Sequence, residues 1–422
     1  MHSAAATLSP QPHRACGACG AAGSRVVHRQ RFIVPDGYPL PSEYNVVACR
    51  RCGFVYADPA ATQRDYDRFY CEWSKYDDAA TATGSGVSAY DAARLTITAR
   101  DIARALPSRA ATILDAGCAT GGLLTALRDR GFSAVAGLDP SLRCAAACRE
   151  RGFEAHVGSI SSATTPAHLP KFDCLVFSHV LEHIHDIPAF FASARRLLAP
   201  GGYLYLETPD AARYSDFFYA PFQEFNTEHI NHFSARALEN TARRFGFQPV
   251  LVEQKVIETA ADTLYPAVFG LFQDQGGTTT QGERSVVCDL ELPSKIAAYI
   301  SQSAAQMDKI NEDLASQLAN RVPGNQRMLL WGAGQFAMKL LALPAFAHTP
   351  VCAVIDNNPV LRGKTLAGAP IVGPLDMVSS AEPIIVATLL HAGEIGAHIR
   401  RLGLTNPVIS LLPQPQSEKS PA

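Results

Sequence analysis

Apolar and polar positions along the chain fall into two series of strand, turn, helix and strand. The first opens with ILDAGCATGGLLTAL, Ile113 to Leu127, where a short apolar strand meets a glycine turn and the turn opens a helix. VAGLDPS, Val135 to Ser141, follows as a second strand ending in an acid. Phe172 to Phe177 reads as a buried strand, apolar apart from Asp173, and ends in Ser178-His179. An amphipathic helix is predicted next, with Phe190, Phe191, Ala194, Leu197 and Leu198 at helical spacing. Pro200-Gly201-Gly202 should stop it, and Tyr203 to Glu207 should form the next strand. The second series begins at MLLWGAGQFAMKLL, continues through CAVIDNNPV and adds a strand over Pro383 to Thr388. Between the two lies a long helix, Leu292 to Leu318. Its apolar stripe of Ile296, Ile300, Ala304, Met307, Ile310, Leu314 and Leu318 suits packing or a dimer contact. The pattern predicts an α/β chain with two doubly wound sheets.

At 422 residues the chain exceeds one typical domain. Hydrophobic content of 47%, charged content of 18% and a net charge of −2 describe an ordinary globular protein. That balance argues against a nucleic-acid or membrane partner. The first residues, MHSAAATLSPQPHRA, lack the apolar core of a secretory signal. Eleven cysteines without an export signal then imply reduced thiols and a cytoplasmic location.

The first glycine turn carries chemistry. Glycines let backbone approach a ligand closely, and Asp139, 22 residues after Gly117, can accept from two ribose hydroxyls. The opening is Asp115-x-Gly117-x-x-x-Gly121 in place of G-x-G-x-x-G, so nothing is shaped around a pyrophosphate. The extra acid suits a cationic amino-acid portion. The segment resembles motif I of class I S-adenosylmethionine methyltransferases. On that resemblance Asp115, Gly117, Gly121, Asp139, Ser178 and His179 are expected to bind S-adenosylmethionine.

Cys16-x2-Cys19 and Cys49-x2-Cys52 form two knuckles, each followed by a glycine, Gly20 or Gly53. Four thiolates complete a closed tetrahedral shell, so a structural Zn2+ site is expected. A reduced compartment disfavours the alternative of disulfides. The other seven cysteines lack ligand spacing; Cys118, inside the cofactor turn, reads as a small side chain.

FNTEHINHFS, Phe225 to Ser234, places Glu228-His229 on a loop at the strand ends. Imidazole titrates near neutrality, so His229 can act as a base, with Glu228 raising its pKa or binding substrate hydroxyls. His232 is a weaker candidate, and the competing reading is that this segment only docks the loop. His179 and His183, four apart, would share a face of a helix. A metal site of His179, His183, Glu228 and His229 is conceivable but unenforced by spacing. His185 reads as exposed, and His348, His391 and His398 give no signal.

Taken together, these segments resemble the nucleotide-sugar C-methyltransferases that act on keto-deoxysugars. The resemblance implies a zinc-binding domain over 13–66, a class I Rossmann-like methyltransferase domain over 67–285, a helical linker over 286–322 and a Rossmann-like C-terminal domain over 323–412. It further implies methyl transfer to a ring carbon beside a ketone. His229 would be the base, His183 and Tyr76 donors, and Glu228 would orient imidazole or sugar, with Tyr70 competing for the place of Tyr76. The family's Tyr-x-Glu-His loop reads Asn226-Thr227-Glu228-His229 here, and its C-terminal GYGASAKGN reads WGAGQFAMK. Asn226 cannot ionise, which opens O- or N-methylation as an alternative.

Gly332-x-Gly334-x-x-Ala337 approximates a dinucleotide fingerprint, with Asp356 following 22 residues after Gly334. On the family resemblance, Asn226, Gly332, Gly334 and Asp356 are expected to bind the acceptor, a small molecule linked to a nucleotide. A lid without a ligand is the alternative for this domain, and a non-catalytic nucleotide-binding scaffold the alternative for the whole. Oligomeric state is left between monomer and homodimer.

Overall fold

The computed structural model describes residues 14–73, 84–160, 165–166, 168–276, 286–321, 327–347, 349–377 and 380–411. Antiparallel strands β1 (Ser24–Arg31), β2 (Glu43–Cys49) and β3 (Val55–Asp58) open the chain. Helices α1 (Gln63–Glu72) and α2 (Ala89–Ala105) lead into the alternating series β4 (Ile113–Ala116), α3 (Gly122–Asp129), β5 (Val135–Asp139), α4 (Leu142–Glu150), β6 (Glu154–Val157), β7 (Phe172–Ser178), α5 (Ile187–Leu197) and β8 (Leu198–Pro209). Then come β9 (Asn231–His232), α6 (Ala235–Arg244), and the long hairpin of β10 (Phe247–Ala260) and β11 (Thr263–Asp274).

The central sheet runs β10-β11-β8-β7-β4-β5-β6, and only β11 is antiparallel to its neighbours. The order reverses at β4, which has β5 on one side and β7 on the other. That switch opens a crevice at the carboxyl ends of these strands, where Gly117, Asp139 and Ser178 sit. The strands read as apolar runs because helices cover both faces; Ile113, Leu114, Leu175, Val176 and Phe177 are fully buried. β8 starts at Leu198 and includes Pro200-Gly201-Gly202, so the expected helix stop lies inside a strand. Leu198 pairs with Phe172 of β7, and the sheet captures the segment before the turn residues are reached.

α7 (Leu292–Arg321) links this sheet to a second doubly wound one. The latter is built from β12 (Met328–Trp331), α8 (Gln335–Leu340), β13 (Val351–Ile355), β14 (Thr365–Leu366), β15 (Ala369–Val372), β16 (Ile384–Val386), α9 (Ala392–Arg401) and β17 (Val408–Ser410). Its order is β14-β15-β13-β12-β16-β17, parallel except for β14, with the reversal at β12. The stripe on α7 is consumed within the chain: Ile296, Met307, Ile310, Leu314 and Leu318 join one core with residues of all three sheets.

The first sheet is not contiguous in sequence. β9 pairs with β3 through Val55 and His232, and Tyr56 and Asn231, so a segment from the central domain completes it. Among the described residues no helix is long and apolar enough to cross a membrane.

Candidate active site

The two glycine turns are built alike. Gly117 N–H donates to Leu138 O at 2.7 Å, and Gly332 N–H to Ile355 O at 2.8 Å. Asp139 accepts from the Ala119 and Ser141 amides, both at 2.9 Å. Asp356 accepts from the Ala333 amide at 2.7 Å and the Asn358 amide at 2.8 Å. Each acid is thus held by two backbone amides at the end of its sheet's second strand. Gly117 has φ of +86°, and a Cβ there would lie 2.8 Å from Val180, so both backbone angle and space select glycine. Asp115 lies beside this turn, 3% exposed, and burial together with the neighbouring Asp139 pushes its carboxyl up to about 7.

Both turns open into one cavity of about 960 Å³. Gly117, Asp139, Ser178 and His179 line one part of it, and Gly332, Gly334 and Asp356 another. His183, Asn226, Glu228 and His229 line it as well, which brings the expected cofactor, catalytic and acceptor residues to one space. Asp115 and Gly121 stand behind the turn. Tyr76 lies outside the described residues; Tyr70 is on the cavity wall, its ring centroid 5.8 Å from that of His183.

The histidines depart from expectation. His179 and His183 do not share a helix: His179 takes a left-handed φ of +57°, and Leu181–His183 form a single 3-10 turn. His179 N–H donates to Glu207 O at 2.8 Å, which keeps the chain on β8 through the bend. Its ring stands between Glu182 Oε1 at 3.3 Å and Glu207 Oε1 at 3.5 Å. Burial alone would lower its pKa, but the two carboxylates outweigh burial and raise it. Glu207 is itself fully buried, taking Lys255 Nζ and Tyr205 OH, each at 2.8 Å.

His229 is oriented by Glu224, an acid that sequence spacing did not single out. Its Nδ1 is 3.3 Å from Glu224 Oε2, and the same oxygen accepts from Tyr265 OH at 2.9 Å. Glu228 contributes backbone instead: its carbonyl lies 3.1 Å from His183 Nδ1. Asn226 shapes the loop, its Oδ1 accepting from the Glu228 amide at 2.9 Å and the His229 amide at 2.7 Å. This Asx-type turn accounts for an amide side chain at that position. His232 is fully buried on β9, paired with Val55 of the first sheet and off the cavity lining, and burial pushes it down to about 3; its place is that of a residue docking the loop. His185 is half-buried, its ring stacked on Tyr66 at 6.0 Å, and not exposed as expected.

The loop is clamped from three sides. Gln335 on α8 donates to Thr227 Oγ1 at 2.7 Å and accepts from Thr227 N–H at 3.1 Å. On α7, Ser303 Oγ accepts from Phe222 N–H and Tyr299 OH from Glu224 N–H, both at 3.0 Å. Tyr44 OH, from the first sheet, donates to Asn226 O at 2.8 Å.

Away from the cavity, the Cys16, Cys19, Cys49 and Cys52 sulfurs all lie within 4.8 Å of one another. Cys16 and Cys52 are 3.6 Å apart, and Cys19 and Cys49 3.5 Å. Four Zn–S bonds of about 2.3 Å at tetrahedral angles need sulfurs roughly 3.8 Å apart, so the donor set fits zinc.

Residues 90–252 match the family described as "Methyltransferase domain". The ubiquinone biosynthesis O-methyltransferase of Methylobacterium nodulans is 33% identical over 114 residues, 26% of this chain and 45% of that protein. Its counterpart from Chelativorans sp. is 34% identical over 113 residues, 26% and 44% of the two chains. The chain therefore spans less than half the length of these curated relatives. Among solved structures, the 1,6-didemethyltoxoflavin-N1-methyltransferase of Burkholderia thailandensis is 16% identical with a TM-score of 0.38, covering 52% of this chain and 95% of that one. The strand order, the glycine turn with its paired acid and the family match identify the central part of the chain as a class I S-adenosylmethionine-dependent methyltransferase domain.

Proposed function

We propose that the chain methylates a small acceptor that reaches from the cofactor turn to the second glycine turn, a nucleotide-linked keto-sugar methylated at carbon. The observation that carries this reading is the single cavity running from Asp139 past His229 to Asp356. When bound, S-adenosylmethionine supplies an electrophilic methyl group, with Asp139 accepting from its ribose and Asp115, buried behind the turn, supplying negative charge beneath its amino-acid portion. His229 Nε2 takes the proton beside the acceptor's ketone, leaving the C–H electron pair as an enolate. Glu224 at Nδ1 stabilises the imidazolium that forms, a base and orienting acid in series. The enolate carbon would then bond to the donated methyl carbon, with the methyl–sulfur bonding pair leaving on the thioether. Tyr70 faces the same space and can donate to the enolate oxygen, whereas His183, with its Nδ1 hydrogen on the Glu228 carbonyl, offers that space an acceptor nitrogen and not the donor expected of it.

The second glycine turn would hold the nucleotide end, its phosphates and ribose against Gly332, Gly334 and Asp356. In this organisation residues 13–66 form a zinc-bound platform, 67–285 the methyltransferase domain, 286–322 the linker and 323–412 the acceptor domain. The cysteine quartet would hold one structural Zn2+, far from any reacting atom.

O-methylation is a second reading, supported by the activity in the names of the curated relatives. It needs the same base, since a hydroxyl must also lose its proton. The deciding experiment incubates the chain with methyl-labelled S-adenosylmethionine and keto-sugar nucleotides, followed by mass spectrometry and NMR of the product. A label on a ring carbon is expected. A label on oxygen would replace the first reading with the second, and failure of nucleoside diphosphates to bind at all would overturn the acceptor assignment.

A further inference from the structure

Three donors converge on the cavity wall between the two glycine turns. Glu182, His183 and His229 each bring a ligand atom within 4.8 Å of the others. Nothing in the methyl-transfer scheme uses Glu182. It is 1% exposed, and neither of its oxygens has a hydrogen-bond donor. The imidazole nitrogens around it are His179 Nδ1 at 3.3 Å and His183 Nε2 at 3.9 Å, in ion-pair range only. Both ion pairs fall on Oε1, which His179 already neutralises in part; Oε2 is buried with no donor, and a cation beside it would complete the carboxylate.

The two imidazoles are prepared for the same partner. His183 Nδ1 lies 3.1 Å from a backbone carbonyl and His229 Nδ1 3.3 Å from a carboxylate. Both are acceptors, so each Nδ1 carries the hydrogen and each Nε2 keeps its lone pair. Metal-binding histidines are oriented in this way, with the far nitrogen donating to a carbonyl or carboxylate. The three residues come from adjoining segments, the 3-10 turn after β7 and the Asn226 loop, and Ile230 N–H donates to Glu182 O at 2.9 Å to join them.

We propose that Glu182, His183 and His229 form a binding site for a divalent transition-metal ion, and that the bound ion inhibits methyl transfer by occupying the His229 lone pair. Two imidazoles and one carboxylate favour Zn2+, Co2+ or Ni2+ over Mg2+ or Ca2+. Metal bonds of about 2.0–2.2 Å set donors roughly 3–3.5 Å apart, so binding draws the three side chains inward by rotation. The remaining coordination positions face the cavity and take water. The site stands independently of the cysteine quartet, whose four sulfurs suit a soft, closed shell. The inhibition rests on His229 being the base; the site itself does not.

The test titrates Co2+ into the full chain with its cysteine quartet already loaded with zinc. One further equivalent should bind, with a visible spectrum lacking the intense thiolate-to-cobalt band. Carbethoxylation of His229 and His183 by diethylpyrocarbonate, mapped by mass spectrometry, should fall as Co2+ is added. Glu182→Gln and His183→Gln should each weaken cobalt binding by more than about tenfold. Glu258→Gln, on the cavity wall but away from the three donors, should leave it unchanged. Absence of saturable cobalt in the parent chain, or undiminished binding in both site variants, would overturn the site. Should Glu182→Gln fold poorly by circular dichroism, His183→Gln and the protection of His229 in the parent decide. Cobalt that binds as expected while methyl transfer proceeds unslowed would keep the site and overturn His229 as the base.

Discussion

His229 Nδ1 stands 3.3 Å from Oε2 of Glu224, five residues upstream, and not against Glu228, its neighbour in sequence. The pair determines which nitrogen faces the cavity. A carboxylate at Nδ1 fixes the tautomer that leaves Nε2 free, and stabilises the ring once it has taken a proton.

Glu224 should therefore matter to chemistry more than Glu228 does. His229→Asn is expected to bind S-adenosylmethionine as the parent does and to lose turnover by about 10²–10⁴, the usual range for a general base. Glu224→Gln should lower turnover in the same direction, and Glu228→Gln far less. Isothermal titration with the cofactor and single-turnover rates on the labelled product separate the two effects. Glu228→Gln as severe as Glu224→Gln would reverse the assignment.

Asp139 holds the Ala119 and Ser141 amides and, on the proposed reading, the cofactor ribose as well. Asp139→Asn keeps an acceptor for one amide and loses charge-assisted bonds to ribose. Cofactor affinity should drop by about 2–4 kcal/mol, the worth of two such hydrogen bonds, with melting temperature nearly kept. Asp139→Ala should lower both. Unchanged affinity in Asp139→Asn would remove the ribose from this acid.

Asp115 should make cofactor binding pH-dependent near neutrality. Burial and Asp139 push its carboxyl up to about 7 in the free protein, whereas the unfolded value is 3.8. Its own contribution to stability is present below pH 4 and is lost as pH rises through about 7. A cationic ligand needs the ionised form. S-adenosylmethionine should bind up to about tenfold more weakly per pH unit below 7, with proton uptake by buffer revealing the release. Asp115→Asn should bind weakly at all pH values with the slope gone; a retained slope would point to another group.

Lys339 donates to the carbonyl of Phe222, at the start of the His229 loop, from a site 3% exposed. Burial lowers its ammonium to about 7 from 10.5. Between those values the unfolded chain binds the extra proton, so this residue's share of stability grows as pH rises from 7 toward 10. Lys339→Met lacks that gain. Its stability relative to the parent should be most favourable at or below pH 7 and fall by up to about 1.4 kcal/mol per pH unit above it, read by denaturant unfolding. A difference independent of pH would place the charge elsewhere.

Cys16→Ser should lose the single zinc expected per chain and lower the melting temperature. The knuckle also docks the central domain, where Arg244 donates to the Gly17 carbonyl at 2.7 Å. Elemental analysis of the parent chain giving no zinc would refute the site outright.

Local sequence determined a good deal of this molecule. The periodicity of Ile113 to Ser141 suffices for β4, α3 and β5, because apolar runs bounded by glycine and an acid have few other ways to pack. A glycine turn followed by an acid at the end of the next strand, with Gly117 and Asp139 and again with Gly332, Gly334 and Asp356, announced both turns; that they are built alike came from the backbone, where Gly332 and not Gly334 is the counterpart of Gly117. The paired knuckles brought Cys16, Cys19, Cys49 and Cys52 to notice for the same reason: two residues between thiols is a property of the turn itself. Other relationships arise only once distant segments meet. Glu224, buried among aromatic residues, carries no local signal, and its tie to His229 exists because Tyr299 and Tyr265 hold it from α7 and β11. Asn226 looked like a failed tyrosine until its Oδ1 was found on two loop amides. The expected helical face shared by His179 and His183 failed because β8 holds the His179 backbone through the bend, overriding an i, i+4 spacing. Glu182 is the clearest case. Nothing in the sequence sets Glu182 apart; its burial, and its approach to His229, follow from the Asn226 loop packing over it, where Ile230 N–H donates to the Glu182 carbonyl.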